Sequence, residues 1–409
     1  MITWLCSTGL THAATLSSDA CIECHAKLNE RLVGDWRLST HSEHDVSCTN
    51  CHGDRHVSAD DVEKAVMATP KTCAECHEEQ VTQFTAGKHA KAWLVMKSMP
   101  TAHWQPMALM EGMKGCGGCH KLGLKTEEDM KALEKEGSGF GNASCDACHT
   151  RHLFSVEEAR QPQSCRTCHM GMDHPQWEMY SSSKHGVRFL LKQAKLLPDT
   201  AAAPTCQNCH MQKGNHQVGT AWGFLAVRLP MPEDKPWAAD RATILQALGV
   251  LDPEGKPTAL LEVVQKADLA RLSQETWSNE REKMISTCRQ CHSENFAKAE
   301  LAKGDDMIRH ADRLMAEAIL IVAGLYKDGV LEKPETYAYP FPNLLTFHDA
   351  ATVIEQDLFI MFLKHRMRVF QGAFHANPDY ALWYGWSEMV RDLTEIKESA
   401  STLREKAKK

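Results

Sequence analysis

The sequence has no long hydrophobic run. After the first residues, the longest apolar stretch is AILIVAGLY, at 318–326. That is far short of the roughly 20 residues a membrane-spanning helix needs, so a soluble chain without a membrane anchor is expected. An excess of positive charge is also missing. The 46 Lys and Arg against 53 Asp and Glu give a net charge of −7, which argues against a nucleic-acid-binding surface. Nowhere do polar and apolar residues alternate as strands require, so a mainly α fold is expected. Apolar residues make up only 43% of the chain, which suggests that something besides aliphatic side chains fills the interior.

Cysteine, by contrast, is abundant. Of 17 cysteines, 16 fall into eight C-x-x-C-H units. These are Cys21/Cys24/His25, Cys48/Cys51/His52, Cys73/Cys76/His77 and Cys116/Cys119/His120. Then come Cys145/Cys148/His149, Cys165/Cys168/His169, Cys206/Cys209/His210 and Cys288/Cys291/His292. Composition alone would produce roughly 0.04 such units, so eight are not accidental. A zinc ribbon needs paired C-x-x-C without an obligatory histidine after each, and a disulfide scaffold needs no histidine at all.

The unit is the attachment signature of a c-type haem. Two thioethers clamp the porphyrin edge, and the imidazole that follows sits under the iron as proximal ligand. Eight covalently bound c-type haems leave about 51 residues for each, too few for separate domains, so the haems themselves are expected to form much of the core. Their propionates and ferric centres add about −8, bringing the holoprotein to roughly −15.

Covalent haem attachment happens outside the cytoplasm, so a periplasmic or otherwise extracytoplasmic location is expected. Residues 1–18, opening MITWLCSTGLTHAA, read as a signal remnant without a basic n-region. They hold Cys6, the one cysteine outside the eight units. Residues 19–237 form a seven-haem region of short, polar, Gly-rich stretches ending in the Pro-rich RLPMPEDKPW. Residues 238–409 form a helical region carrying the eighth unit. There, 3.6-residue apolar spacing predicts long C-terminal helices over Thr258–Gln290, Ala297–Lys327, Ala350–Phe370 and Ser387–Lys408.

Eight irons need sixth ligands unless one is left open. An aromatic residue precedes a histidine by five positions four times: Trp36 before His41, Phe84 before His89, Tyr180 before His185 and Phe370 before His375. A histidine packed by an aromatic ring one turn away suits a distal ligand. His56, His152 and His216 follow proximal units so closely that none can fold back on its own haem, so each would reach a neighbour's. That makes seven candidates, with His44, His103, His310, His348 and His365 in reserve. A bis-histidine iron only passes electrons, whereas chemistry needs an open position. The fourth unit is the candidate: Gly115, Gly117 and Gly118 strip bulk around it, and no spare histidine follows within thirty residues. Met107, Met110 and Met113 upstream could offer a thioether, though their spacing of three suits plain helix packing.

The segment CDACHTRHLFSVEEARQPQSCRTCHMGMDHPQWEMYSSSKHG (145–186) and the later VFQGAFHANPDYALWYGWSEM resemble the hydroxylamine oxidoreductase family of octahaem cytochromes. The likeness runs from the order of the eight units to the trailing helices. It implies a mainly helical subunit, a homo-oligomer for which the trimer is common, and seven bis-histidine haems around a catalytic fourth. It further implies that Asp173 and His174 reach over the open face of the haem held by His120. An imidazole with an ordinary pKa near 6.5 moves protons close to neutrality, and a carboxylate orients it. The bland alternative is an N-cap aspartate before Pro175 and one more distal histidine.

In oxidising members of that family a tyrosine from a neighbouring subunit is bonded to the catalytic haem. The corresponding position here falls on Leu382, near Tyr380 and Tyr384, which favours reduction of nitrite or hydroxylamine to ammonium over hydroxylamine oxidation to nitric oxide or nitrite. Electrons would pass to or from a redox partner, a cytochrome or a quinol-linked donor or acceptor. An electron-transfer-only cytochrome and a sulfur-oxyanion reductase are the other readings. The C-x-x-C-K unit often found in the latter is absent here. The intact mass of the purified protein should exceed that of the polypeptide by eight haems; fewer adducts would disqualify some of the units.

Overall fold

The computed structural model describes residues 18–98, 116–135, 144–220, 222–223, 227–266, 268–270, 273–345 and 350–409. Nearly all of the signal remnant, together with His103, His348, Gly115 and the three upstream methionines, lies outside the described residues. The fold is mainly α. Among the described residues the only β pairing is an isolated bridge between Leu251 and Pro257. None of the described helices is long and apolar enough to cross a membrane.

Two different interiors share the chain. From Val227 onward the core is conventional. The helix Glu294–Lys327 buries Leu301, Ile308, Ala311, Met315, Ile319, Val322 and Leu325, a stripe at helical spacing, and Ser293 caps its first turn by accepting the Phe296 amide. Packed on it are Lys235–Ala247, Met367–Phe374 and Ser387–Ala407. Before residue 220 the buried apolar side chains among the described residues are few: Val33, Ala90, Met179, Tyr180 and Phe189. Short helices there enclose a cavity of about 3600 Å³. That is several times the ~300–1,000 Å³ of a pocket for one small ligand.

The helix expected over Thr258–Gln290 is two helices, Ala259–Lys266 and Gln274–Cys288. Between them Asp268 takes a positive φ of 55°. Its carboxylate accepts Arg228 Nη2 at 3.0 Å and pairs with Lys88, partners remote in sequence that a local pattern cannot show. Ser273 then caps the second helix through the Thr276 amide at 3.1 Å. The helix expected over Ala350–Phe370 starts at Val353 and runs through a π-helical stretch, Met361–Arg366; a second such stretch spans Leu382–Trp386. Such widened turns cluster at functional positions.

Inside the C-terminal bundle Asp312 is fully buried. One carboxylate oxygen accepts Trp237 Nε1 at 2.9 Å and Arg241 Nη1 at 3.0 Å; the other accepts Arg366 Nε at 3.0 Å and Nη2 at 2.7 Å. Removing the anion strands two buried guanidinium groups. Asp312→Ala should therefore cost about 3–5 kcal/mol, read as a lower urea midpoint of the far-ultraviolet helical signal.

Candidate haem-binding and redox site

The units Cys48–His52 and Cys206–His210 are single helical turns. In a helix, residues three and four apart share a face, so both sulfurs and the imidazole project to one side. The intervening residues help close the turn. Asn50 accepts the Ser47 amide and Asn208 the Thr205 amide, both at 2.8 Å. Among the described residues all 16 unit cysteines are free of disulfides, and no three or more His, Cys, Asp or Glu side chains converge as a site for a bare metal ion.

Two of the expected attachment cysteines, Cys24 and Cys291, depart from the rest. The other unit cysteines line the large cavity, whereas these two do not; Cys76, Cys116 and Cys209 line it and are exposed as well. Cys21 and Cys288, the partners of Cys24 and Cys291, do line the cavity, so the first and eighth units each present one sulfur to it. Cys21 faces Cys48 of the second unit, and Cys288 faces Cys209 of the seventh. Cys291 still lies within electrostatic reach of Cys209.

Seven unit histidines each face one of the seven candidate histidines. The pairs are His25–His56, His77–His41, His52–His152 and His169–His89, then His149–His216, His292–His185 and His210–His375. Their ring centres lie 6.0 to 6.5 Å apart. Rings at this distance do not touch, yet the spacing recurs in every pair. Two imidazoles bound to one metal from opposite sides, through bonds of about 2 Å, have centres on the order of 6 Å apart. The close-spaced histidines reach other units: His56 meets the first, His152 the second and His216 the fifth.

Local hydrogen bonds set which nitrogen points into each gap. Nδ1 of His52 lies 2.9 Å from the Val66 carbonyl, and Nδ1 of His375 lies 2.7 Å from the Gln371 carbonyl. Nδ1 of His56 lies 2.9 Å from Asp61, and Nδ1 of His169 lies 3.3 Å from Gln176 Oε1. A ring that donates through Nδ1 keeps its Nε2 lone pair for a metal. Burial favours the neutral, ligating form, holding His169 down to about 3 and His210 to about 4.

Sulfur positions show which units adjoin. Cys73 and Cys145, Cys119 and Cys168, and Cys165 and Cys206 are in hydrogen-bonding contact; these thiols stand in for thioether sulfurs. Electrostatic proximity also joins Cys21 to Cys48, Cys51 to Cys73, Cys148 to Cys165 and Cys209 to Cys288. The units therefore follow the spatial order one, two, three, five, six, seven, eight, and the fourth branches off at the sixth.

At the fourth unit, His120 Nδ1 lies 2.9 Å from the Ala92 carbonyl, and Leu124 donates its amide to Ala90 at 2.8 Å. Gly123 makes this close approach possible, since a Cβ there would lie 2.1 Å from the Trp93 nitrogen. Asp173 and His174 line the same cavity, with His174 Nδ1 3.2 Å from Asp173 Oδ1. Asp173 interacts electrostatically with Cys116, Cys119 and His120. Burial opposes its ionisation, but the hydrogen bond and charge of His174 hold it below the usual carboxylate range. The His174 ring also lies 6.1 Å from that of His169. The pair thus stands between the fourth and sixth units.

The three reserve histidines among the described residues are elsewhere. His44 and His310 are exposed, the latter 3.6 Å from Asp306, while His365 is buried with Nδ1 2.5 Å from Asp392. Sequence reasoning missed three residues at the site. Asp61 holds His56 and accepts the Val57 and Ser58 amides; those bonds, led by the Ser58 amide, keep its carboxyl far below the ordinary range. Its Ser-x-x-Asp spacing was the available signal. Gly123 and Gln176 carried none.

The pattern of one family, described as seven times multi-haem cytochrome CxxCH, matches residues 17–227 and 263–338, and the chain belongs to that family of proteins with covalently attached c-type haems. A curated relative, the probable nitrite reductase-hydroxylamine oxidoreductase fusion protein of Kuenenia stuttgartiensis, is 26% identical over 94% of this chain. The match covers 52% of that protein, so the chain spans about half the relative's length. Two solved structures share the fold. The reducing HAO-like protein complex of Kuenenia stuttgartiensis has a TM-score of 0.64 at 23% identity, covering 95% of this chain and 86% of that one. A hypothetical multiheme protein has a TM-score of 0.65 at 20% identity, covering 97% of both.

Gly123→Ala should destabilise the protein by about 1–3 kcal/mol through overpacking, seen as a lower thermal midpoint. Gly34→Ala, with nothing within 4 Å of the added carbon, should leave that midpoint unchanged or slightly higher.

Proposed function

We propose that the chain is an exported, periplasmic or otherwise extracytoplasmic octahaem cytochrome that performs multi-electron redox chemistry on a small inorganic nitrogen compound at its fourth haem. The favoured reaction is reduction of nitrite or hydroxylamine to ammonium. One observation carries this: the Asp173–His174 pair lies beside His120, Cys116 and Cys119, the fourth attachment unit. The eight units would hold the haems, with His25, His52, His77, His120, His149, His169, His210 and His292 as proximal ligands. His41, His56, His89, His152, His185, His216 and His375, each facing one of the other seven, would be the distal ligands. The first and eighth haems would stand at the two ends of the line of units, where electrons would enter or leave.

When bound at Cys116–His120, the fourth haem supplies an iron that accepts the substrate's nitrogen and exchanges electrons with it. The protein side of the reaction is proton supply. Nitrite reduction to ammonium consumes six electrons and eight protons, and hydroxylamine reduction consumes two electrons and three protons. His174 hydrogen-bonds Asp173 through Nδ1, so Nε2 is the nitrogen that hands protons towards the substrate, and the carboxylate stabilises the imidazolium. His120 is oriented from behind by Ala92. The adjoining sixth unit would feed the fourth, drawing on the line of units and on a redox partner, a cytochrome or a quinol-linked donor.

The direction rests on Leu382, which has no phenol to bond a haem. The name of the relative above joins a nitrite reductase to a hydroxylamine oxidoreductase and so supports redox chemistry on such compounds in either direction. Hydroxylamine oxidation through a tyrosine-linked haem is the second reading, favoured by the half-exposed Tyr384 two residues on. By resemblance, the working form would be a homo-oligomer, a trimer in the family's common arrangement.

His174→Ala should slow nitrite or hydroxylamine turnover about 10²–10⁴-fold while all eight haems remain. Unchanged turnover would remove the pair from the mechanism. The reduced protein should show ordinary c-type bands; a distinct red-shifted ferrous band would turn the direction to oxidation.

A further inference from the structure

Gln176 stands where three parts of the site meet. Its Oε1 lies 3.3 Å from Nδ1 of His169, the unit histidine paired with His89. Its Nε2 donates to Gln371 Oε1 at 3.2 Å. Its backbone amide donates to the His174 carbonyl at 2.8 Å and so closes the turn that presents Asp173 and His174. The amide group is polarised in one sense, acceptor towards the imidazole and donor towards Gln371. Gln371 is 5% exposed, and its own carbonyl receives Nδ1 of His375 at 2.7 Å. Its helix therefore holds both ends of the line from His169 to His375.

The rest of the turn is braced around the same residue. The Trp177 amide donates to the His169 carbonyl at 3.0 Å, and Glu178 accepts the Gly171 amide at 3.0 Å. Asn377 Nδ2 bonds the Met179 carbonyl and the Ser182 hydroxyl, both at 2.8 Å, fastening the turn's helix to the end of the His375 helix. The loop from His169 to Trp177 thus has one side chain, Gln176, joining its axial ligand to the second helix.

We propose that Gln176 is a positioning residue that tunes the sixth haem through His169 and holds the Asp173–His174 turn in register with the fourth. This rests on the reading of His169 as an axial ligand and of His174 as the proton donor. Hydrogen bonding from a ligating imidazole's other N–H raises the basicity of the ligand, which favours ferric iron and lowers the haem's potential. Because the same side chain ties the loop that carries the turn to the Gln371 helix, the tuning of the electron donor and the placement of the proton donor are set together.

The test uses the full-length holoprotein with Gln176→Leu, Gln176→Glu and Gln371→Leu. Spectroelectrochemical titration reads the low-spin haem potentials, and steady-state assays read kcat and KM. Gln176→Leu should move one low-spin potential to a more positive value, leave the others in place, and lower kcat at least fivefold with little change in KM. Gln176→Glu, which keeps an acceptor on His169, should return that potential to or below the native value. Gln371→Leu, which keeps the His169 bond, should shift it less than Gln176→Leu. Native potentials in Gln176→Leu, or native kcat, would overturn the proposal. If Gln176→Leu fails to retain its haems, Gln176→Glu decides, since an unmoved or raised potential there also overturns it. The His174→Ala variant separates the two readings: it should lose turnover with all potentials unmoved, and its failure would sink the proton-donor assignment without touching the potential shift.

Discussion

Seven gaps of about 6 Å between facing imidazoles are the constraint on which the N-terminal half depends. In six of these pairs the facing histidine lies among the residues around other units; the seventh is His375 in the C-terminal bundle. A metal held between the rings would cross-link distant parts of the chain, and its binding energy would count directly as folding energy. That explains how short helices with few buried apolar residues persist around so large a cavity. The cofactor and the fold are one problem in this region.

The C-terminal bundle solves a different problem. It has a packed aliphatic core and a saturated buried charge at Asp312, which needs no cofactor. It contributes to the site by rigidity. Arg366, held by Asp312, directly precedes the helix that carries Gln371 and ends before His375. The seventh pair and the Gln176 contact therefore inherit their placement from the bundle. A conventional core positions one edge of a region that has little core of its own.

What could be read from the sequence follows from how local each signal is. The eight units were plain because the chemistry demands a fixed local spacing. The seven facing histidines were legible too, four from an aromatic five residues before and three from spacing that forbids folding back. Those aromatics also make bonds of their own: Trp36 Nε1 bonds the Val46 carbonyl at 3.1 Å, and the Tyr180 hydroxyl bonds the Pro204 carbonyl at 2.8 Å. What escaped notice depends on remote partners. The helix break at Asp268 answers to Arg228 and Lys88, and the need for glycine at 123 answers to the Trp93 backbone. Gln176 matters because of Gln371, 195 residues away.

The sixth unit is a junction as well as a link. Its Cys168 adjoins Cys119 of the fourth unit, and its Cys165 adjoins Cys206 of the seventh. Its histidine is also the residue from which the Asp173–His174 turn departs. In the proposed function, electrons from the line and protons from the turn would therefore approach the fourth unit across the same few residues. Reducing a nitrogen oxyanion requires both in near-equal number, and neither is useful without the other. Both deliveries would then share one short loop and a common geometry, so a shift that separated Asp173 and His174 from the fourth unit would also disturb the contact between Cys168 and Cys119. This is a physical reason for a carboxylate and an imidazole to follow a haem-attachment unit so closely in sequence.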